Sequence, residues 1–556
     1  MAPSIGIANW LKLNRRWWPL VLLFALGLGL RLFHLGSQSL FSDEAISWSA
    51  SRLTPGEMMV LSEYDHHAPL YYYLLKLALS VLPSTEAGLR GISVVASAVA
   101  LLAVLAFLNS EWSKASAIYC GILMALSSFD LYYAQETRMY TLLAAAWIIS
   151  YIALIKALQG KPRWLFVWVI ASVVMPWTHM YGFLVIGANA VFVLGYLVLK
   201  RFFRFASPLN DRLLVLALLV VGIAILPMAR LLLLHANTNS VAGKVPQLQD
   251  LMDLYLLWTA GLVASRQHFV DGAHLILPAT QAVSAALWFL AGTVSCGAPA
   301  VYGLTRAWRL RGSPRIQASL ALVNILFPVA FAFGYSNLMG TRIWIQRPFL
   351  GGAYLLYLWA GIGLAALKWR RARWVLAAFA AVIAFASLLP YFTTWQKSDA
   401  RQALLSMPAP DEHNAVVLDE RYIASLARFY LGADIRMMAI EANDKAMPRV
   451  ITPLFQTDHA SIKVMGRPKG VACDDLATIT DLWLYGNPGP LRRALPQLPR
   501  CVTEKRLWLF EQGQWAQLDP VRRDGIDSSG WLQFDDIRHS DWTTDNLKRR
   551  RLSEGF

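Results

Sequence analysis

Long apolar runs broken by short polar stretches fill the first 391 residues, and the runs are mostly of the length needed to cross a bilayer. The first covers residues 17–33 and follows Lys12, Arg15 and Arg16, which predicts a cytoplasmic N-terminus and an outward first crossing. No small-residue cleavage site follows it, so it reads as a retained anchor. Residues 91–108 then run inward, 115–129 outward, 141–158 inward, 164–177 outward and 181–199 inward. Residues 213–234 exit, 278–304 enter, 316–335 exit, 349–367 enter and 374–391 exit, which gives about eleven crossings. The stretch 69–82 is apolar but bounded by Pro69 and Pro83, and about 14 residues are too few to span. It is expected to lie in the interface or outer leaflet.

Charge placement supports this path. Lys114, Lys156, Lys161, Arg163, Lys200, Arg201 and Arg204 fall on one side, and so do Arg306, Arg309, Arg311, Arg315, Lys368, Arg370, Arg371 and Arg373. Counting 69–82 as a crossing would put these loops outside, against the positive-inside rule. The net charge of +16 therefore reports topology, and no nucleic-acid partner is inferred. At 56% hydrophobic and 15% charged residues, the chain has too few charges for a soluble protein. Of its 35 carboxylates, 13 precede residue 391 and 22 follow it, which places a domain boundary there.

The reading is thus a mainly α, polytopic domain over 1–391 and an extracytoplasmic α/β domain over 392–556. In the second, 415–418, 437–440 and 481–485 look like strands and 424–431 like a helix. Cys473 and Cys501 lie there, in an oxidising compartment, and their pairing is left open. Cys120 and Cys296 fall in apolar runs and read as packing residues, and the tail with Lys548-Arg549-Arg550-Arg551 reads as frayed. No internal repeat is evident.

Several polar clusters share the side opposite the basic loops. Ser42-Asp43-Glu44-Ala45 follows the first run, with Ser42 as expected N-cap and both carboxylates in a first helical turn. Asp65-His66-His67-Ala68-Pro69-Leu70-Tyr71 precedes the short segment, and Asp130 and Tyr132-Tyr133-Ala134-Gln135-Glu136-Thr137-Arg138-Met139-Tyr140 follow the third crossing. Trp177-Thr178-His179-Met180-Tyr181 follows the fifth, and Arg342 and Arg347, with Trp344 and Gln346 between them, precede the tenth. Taken singly, each has a bland explanation: an acidic helix start, a Glu136–Arg138 ion pair, a hydrogen-bonded helix end at His179, arginines snorkelling to headgroups. Together on one face they suit an anionic lipid-linked substrate and an acceptor that must lose a proton.

At these residues the sequence resembles the polyprenyl-phosphate-sugar-dependent membrane glycosyltransferases of the GT-C fold, which include the protein O-mannosyltransferases and the lipid A aminoarabinose transferase. It looks most like the bacterial glycosyltransferase family 39-like group. Three motifs carry the resemblance: Asp43-Glu44, His67-Ala68-Pro69-Leu70-Tyr71, and Gln135-Glu136-Thr137-Arg138-Met139-Tyr140. They cover the N-terminal third; the middle helices match only by pattern. The resemblance implies an outer-face catalytic site in a bacterial cytoplasmic membrane, with Asp43 and Glu44 catalytic and Asp43 the general base of an inverting displacement. It implies that Glu136 and Tyr140 position the acceptor or a cation, and that His67, Arg138, Arg342 and Arg347 bind the donor phosphate. His179 and Tyr181 would complete the outer cavity. A divalent cation is compatible with this and not required. The implied partners are a polyprenyl-phosphate-linked sugar, membrane lipid, and an envelope glycan, lipid or protein acceptor. Ala68 departs from the family, where Pro or Lys is usual, so a phosphate contact there is lost to the arginines. A lipid-linked glycan transporter is the rival reading; it predicts ionisable groups at mid-bilayer and a repeated half. A third reading, an outer-domain sensor, needs far fewer crossings.

Overall fold

The computed structural model describes residues 17–63, 67–203, 208–236, 245–262, 281–341, 343–393, 397–408, 413–418, 424–432, 436–440, 454–456, 461–463, 478–485, 505–511, 513–518 and 534–536. Lys12, Arg15, Arg16, Asp65, His66, Arg204, Arg342, Cys473, Cys501 and the basic tail lie outside the described residues. The chain forms two compact units. One takes the described residues up to Leu35 and those from Arg90 to Thr393; the other takes Gly36–Leu89 and those from Lys397 onward.

The first unit is helical, and the chain is a multi-pass membrane protein. Seven helices are long and apolar enough to cross: Glu86–Glu111, Tyr140–Leu158, Gly182–Phe203, Ser284–Arg309, Ser313–Met339, Arg347–Ala366 and Arg370–Thr393. Two bent pairs raise the number to nine, Lys114–Leu126 with Ser128–Ala134 at 59° and Asp211–Ala224 with Leu226–Leu233 at 52°. The other two runs expected to cross fold as shorter apolar helices, Trp18–Leu32 and Arg163–Thr178. By length alone the described residues therefore carry seven to nine spans where the pattern suggested about eleven. The bends have local causes. Pro227 lacks the N–H that would bond Ile223, so the helix breaks just before it. At the other break the Ser127 hydroxyl accepts from the Asp130 amide at 3.3 Å and caps a new helix inside the apolar run.

That new helix carries Asp130 into the bundle instead of the outer loop where the pattern put it. Asp130 is fully buried and ion-paired with the equally buried Arg31 of the first helix. Ser97 donates to both carboxylate oxygens, at 2.9 and 3.0 Å, and Tyr354 donates at 2.5 Å. Arg31 donates through Nε to Ser97 at 2.6 Å and through its terminal nitrogens to the Gly27 and Met124 carbonyls at 2.7 and 3.1 Å. A charge pair this deep is tolerable only when its lone pairs and protons are so fully matched.

A second polar ladder joins four helices. Trp147 donates to Asn324 at 3.0 Å, Asn324 to Asn189 at 3.0 Å, and Asn189 to Ser150 at 3.0 Å, with Ser172 beyond at 3.5 Å. Small residues let other helices touch backbone to backbone: a Cβ on Gly363 would lie 1.8 Å from the Pro299 carbonyl oxygen, and one on Gly303 2.4 Å from that of Trp359. Cys120 and Cys296 are buried and free, as packing residues should be.

The second unit holds the sheet. Among the described residues, β3 (Leu454–Gln456) and β4 (Ser461–Lys463) pair antiparallel by themselves, and six further strands form the larger sheet in the order β7-β6-β5-β1-β2-β8. Here β1 is Asn414–Leu418, β2 Arg436–Ile440, β5 Asp481–Tyr485, β6 Arg506–Glu511, β7 Gln514–Leu518 and β8 Phe534–Asp536. β1, β2, β5 and β6 are parallel, and β7 and β8 close the two edges antiparallel. The helix Ala424–Leu431 makes the crossover that parallel pairing of β1 and β2 requires. The three strand-like runs of the sequence are β1, β2 and β5. Trp483 stacks on Trp508 at 5.1 Å and donates to Asn414 at 3.0 Å.

Asp481, at the head of β5, accepts from Trp508 at 2.9 Å, Thr480 at 2.8 Å and Arg506 at 2.6 Å. Burial raises its carboxyl, but these bonds and the Arg506 charge together hold it below its ordinary value of 3.8.

Two predictions follow from these clusters. Asp130→Leu or Arg31→Met alone should cost about 3–5 kcal/mol, seen as a large fall in Tm of the detergent-solubilised chain, and the double variant should recover much of it. Because the folded Asp481 carboxyl is depressed, its stabilisation is present above about pH 4 and fades as the pH falls through the folded value. Asp481→Asn should therefore lower Tm at pH 7, and the gap to the parent should close on acidification.

Candidate active site

The acidic turn opens the helix Ser42–Arg52, with Phe41 at the N-cap, one residue earlier than expected. Ser42 is buried at the first helical position, and the N-cap side chain of Phe41 makes no hydrogen bond. Glu44 reaches back toward the Phe41 amide at 3.4 Å. The two carboxylates differ sharply. Asp43 is half-buried, whereas Glu44 is fully buried and ion-paired with Lys397 at 3.6 Å. Glu44, grouped with Asp43 as catalytic from the sequence, is thus held in a buried ion pair.

The loop leading into this turn is fastened along its length. Arg401 donates to the Gly36, Ser37 and Gln38 carbonyls at 2.8, 3.0 and 3.3 Å and pairs with Glu86 at 2.5 Å. Gln38 accepts from the Lys397 amide at 2.9 Å, Ser39 donates to the Ser398 carbonyl at 2.5 Å, and the Leu40 amide donates to Tyr430 at 2.7 Å. Burial pushes the Tyr430 phenol well above its ordinary value, so it stays protonated and donates to Glu86 at 3.1 Å. His67 is half-buried just before Ala68 and Pro69, which lead into the ten-residue helix Leu70–Leu79. That helix is too short to span, as the pattern predicted.

In the helical unit, the remaining candidates gather at the end away from the basic loops. The stretch Gln135 to Tyr140, between the helices Ser128–Ala134 and Tyr140–Leu158, is entirely buried. Gln135 has a clear local task. Its amide donates to the Leu30, Arg31 and Phe33 carbonyls at 3.4, 3.0 and 2.7 Å, and its oxygen accepts from Tyr391 at 2.8 Å. It thereby satisfies carbonyls that the end of the first helix leaves open. Glu136 and Arg138 follow at 1% and 2% exposure, a cost acceptable only to charges in a designed polar setting. Ser93 fixes the Arg138 carbonyl at 3.0 Å.

Aromatic rings carry the site onward. Tyr133 meets Tyr140 at 5.0 Å, Tyr140 meets His179 at 5.8 Å, His179 meets Tyr181 at 5.4 Å, and Tyr181 meets Phe349 at 5.3 Å. His179 ends the helix Arg163–Thr178, and its Nδ1 accepts from the Tyr181 amide at 3.1 Å. An accepting Nδ1 means a neutral ring whose proton sits on Nε2. Gly182 is required here, because a Cβ would stand 2.3 Å from the Met175 carbonyl carbon. The Tyr181 hydroxyl donates to the Ile343 carbonyl and accepts from the Ile345 amide at 3.0 Å, tying down the segment before Arg347. Arg347 is half-buried at the head of the short 3-10 turn Arg347–Phe349.

The structure thus brings Tyr140, His179 and Tyr181 together, with Glu136, Arg138 and Arg347 on the same end of the bundle. Asp43, Glu44 and His67 belong to the other unit. Sequence reading gave no role to Arg31, Lys397 or Arg401. A lone arginine inside an apolar run was a usable signal for the first; nothing local marks the other two. Among the described residues, no three His, Cys, Asp or Glu side chains are grouped to hold a metal ion.

The roles of the two carboxylates can be separated. Lys397→Met and Glu44→Gln should each lower Tm measurably, whereas Asp43→Asn, at a half-exposed position, should lower it less.

No family model and no curated protein matches the chain. Among solved structures it is similar to ArnT from Cupriavidus metallidurans in the apo state, at 13% identity and TM-score 0.47, over 75% of this chain and 85% of that one. ArnT bound to undecaprenyl phosphate gives 12% identity and TM-score 0.48 over the same shares. The archaeal oligosaccharyltransferase AglB from Archaeoglobus fulgidus, in complex with an inhibitory peptide and a dolichol-phosphate, gives 14% and 0.45 over 76% of this chain and 64% of that one.

Proposed function

We propose that the chain is an integral-membrane glycosyltransferase that moves a sugar from a polyprenyl-phosphate carrier to an envelope acceptor. The reaction takes place at the outer face of a bacterial cytoplasmic membrane. The observation that carries this reading is the division of labour in the acidic turn. One carboxylate is locked by a buried lysine, and its neighbour is left half-exposed on a fixed helix start, as a positioned base should be. The buried Gln135–Tyr140 stretch in a multi-pass bundle supports it, because an anionic lipid headgroup needs cations held where water is scarce.

In this reading the acceptor O–H gives its proton to Asp43, and the oxygen attacks the anomeric carbon. The bond from that carbon to the phosphate oxygen breaks on the opposite side, with inversion, and the lipid phosphate leaves with the bonding electrons. Arg138, Arg342 and Arg347, with His67, supply positive charge for the departing phosphate. Glu136 and Tyr140 position the acceptor, and His179 and Tyr181 hold the surrounding wall. Glu44 acts through Lys397 as a positioning residue.

The rival, a lipid-linked glycan transporter, wants ionisable groups free to exchange partners along a path. The deepest such pair, Arg31–Asp130, is matched on every side and suits a strut instead.

The test is turnover in nanodiscs with polyprenyl-phosphate-linked sugars and envelope extract as acceptor source. Asp43→Asn should lower it about 10²–10⁴-fold with little change in Tm. Undiminished turnover by that variant would sink the base assignment. Mass spectrometry of envelope lipids and glycans from cells with and without the protein should reveal the missing sugar.

A further inference from the structure

The last turn of the helix Ser313–Met339 and the segment joining it to the helix Leu350–Ala366 carry polar atoms that the fold leaves unused. Ser336 Oγ, Thr341 Oγ1, Trp344 Nε1 and both amide atoms of Gln346 are buried with no hydrogen-bond partner. Gln346 is only 3% exposed, so its whole amide sits away from bulk water. Each such group carries a desolvation penalty, and a native fold rarely leaves several of them in one short stretch. Slack in the chain does not account for them. The Tyr181 hydroxyl holds the backbone at Ile343 and Ile345, the Phe349 amide bonds the Gln346 carbonyl at 3.1 Å, and the Trp344 ring packs on Phe333 and Phe349 at 5.7 and 5.5 Å. Indole N–H groups are unused elsewhere in the bundle too, at Trp168, Trp258 and Trp359, but Gln346 is set apart from the Asn324 and Asn189 carboxamides, which bond in a ladder.

The chemistry of the unused atoms narrows the ligand. A phosphate accepts hydrogen bonds and cannot donate to an amide oxygen, so it would leave Gln346 Oε1 unanswered. A sugar hydroxyl donates and accepts at once, and a neighbouring pair of hydroxyls matches both ends of an amide. The indole N–H of Trp344 adds a further donor. Tyr181, which holds this segment, lies in the ring series that includes Tyr140 and His179. We infer that Gln346, with Trp344, is a specificity-determining subsite that reads hydroxyls of the sugar on the lipid-linked donor. The inference rests on the lipid-linked donor reading above and adds to it the residues that distinguish one sugar from another.

The test measures binding to purified chain in nanodiscs, by native mass spectrometry, of polyprenyl monophosphate and of polyprenyl-phosphate-linked hexoses and pentoses. The parent should prefer at least one sugar-bearing lipid over the sugar-free lipid. Gln346→Leu should shrink that preference about 3–10-fold, with affinity for polyprenyl monophosphate unchanged. Trp344→Phe keeps the ring and removes only the N–H. It should act in the same direction, and it decides the matter if Gln346→Leu does not fold. Preference retained in the folded variants would overturn the inference and leave the glycosyltransferase reading standing, as would a parent that binds polyprenyl monophosphate yet favours no sugar. A gain in Tm for Gln346→Leu with preference intact would mark a water-filled pocket, which also overturns it. Failure of the parent to bind any polyprenyl phosphate would fell the donor reading itself, and this inference with it.

Discussion

A charge can enter a lipid-embedded bundle only if the protein replaces the water it loses, and the pairing of Arg31 with Asp130 meets that condition. Ser97 accepts from the arginine and donates to the aspartate, Tyr354 adds a donor, and two main-chain carbonyls take up two further guanidinium protons. The pair fixes the first helix against the helices that carry Ser97, Asp130 and Tyr354. Five residues after Arg31's partner in the chain, Gln135 closes the end of that same first helix. The position of the buried Glu136–Arg138 stretch is thus inherited from an ion pair that has no contact with substrate chemistry in our reading.

The acidic turn shows the same economy in the other unit. Glu44 and Lys397 neutralise each other out of water, while Arg401 gathers three successive carbonyls of the loop ahead of them. A loop of this kind would ordinarily drift. Here the carbonyls of Gly36, Ser37 and Gln38 and the Leu40 amide are all taken up, so Asp43 is presented from a fixed frame. Rigid presentation matters for a base, because a small misplacement of the acceptor oxygen is costly in rate.

Much of this was readable in the residues, for identifiable reasons. Apolar run length and the one-sided basic loops located the helices, since bilayer thickness and translocation both act on local sequence. The non-spanning character of Leu70–Leu79 followed from its flanking prolines and loop parity. The strands β1, β2 and β5 were visible as short apolar runs. Illegible were the helix break at Ser127 and the partnerships Arg31–Asp130 and Glu44–Lys397. A cap inside an apolar run looks like any serine, and an ion pair between residues 99 or 353 positions apart leaves no periodic trace. For that reason Asp130 seemed to belong to the outer loop, and nothing in the sequence paired Glu44 with a lysine. The cluster around Gln135, Tyr140, His179 and Tyr181 stood out as polar residues at run ends, but their division into struts and candidate ligands needed coordinates.

The fastening of residues 36–44 by residues 397–430 has a bearing on how the polypeptide is made. The early stretch emerges from the ribosome long before its counterpart. More than 300 residues separate Leu89 from Lys397, which at bacterial elongation speeds is a delay of about 15–60 s. During that interval Glu44 has no lysine, and the carbonyls of 36–38 have no guanidinium. Maturation of the acidic turn must therefore wait for the last membrane helix to be delivered, so the order of synthesis leaves a nascent or truncated chain without the fastened turn.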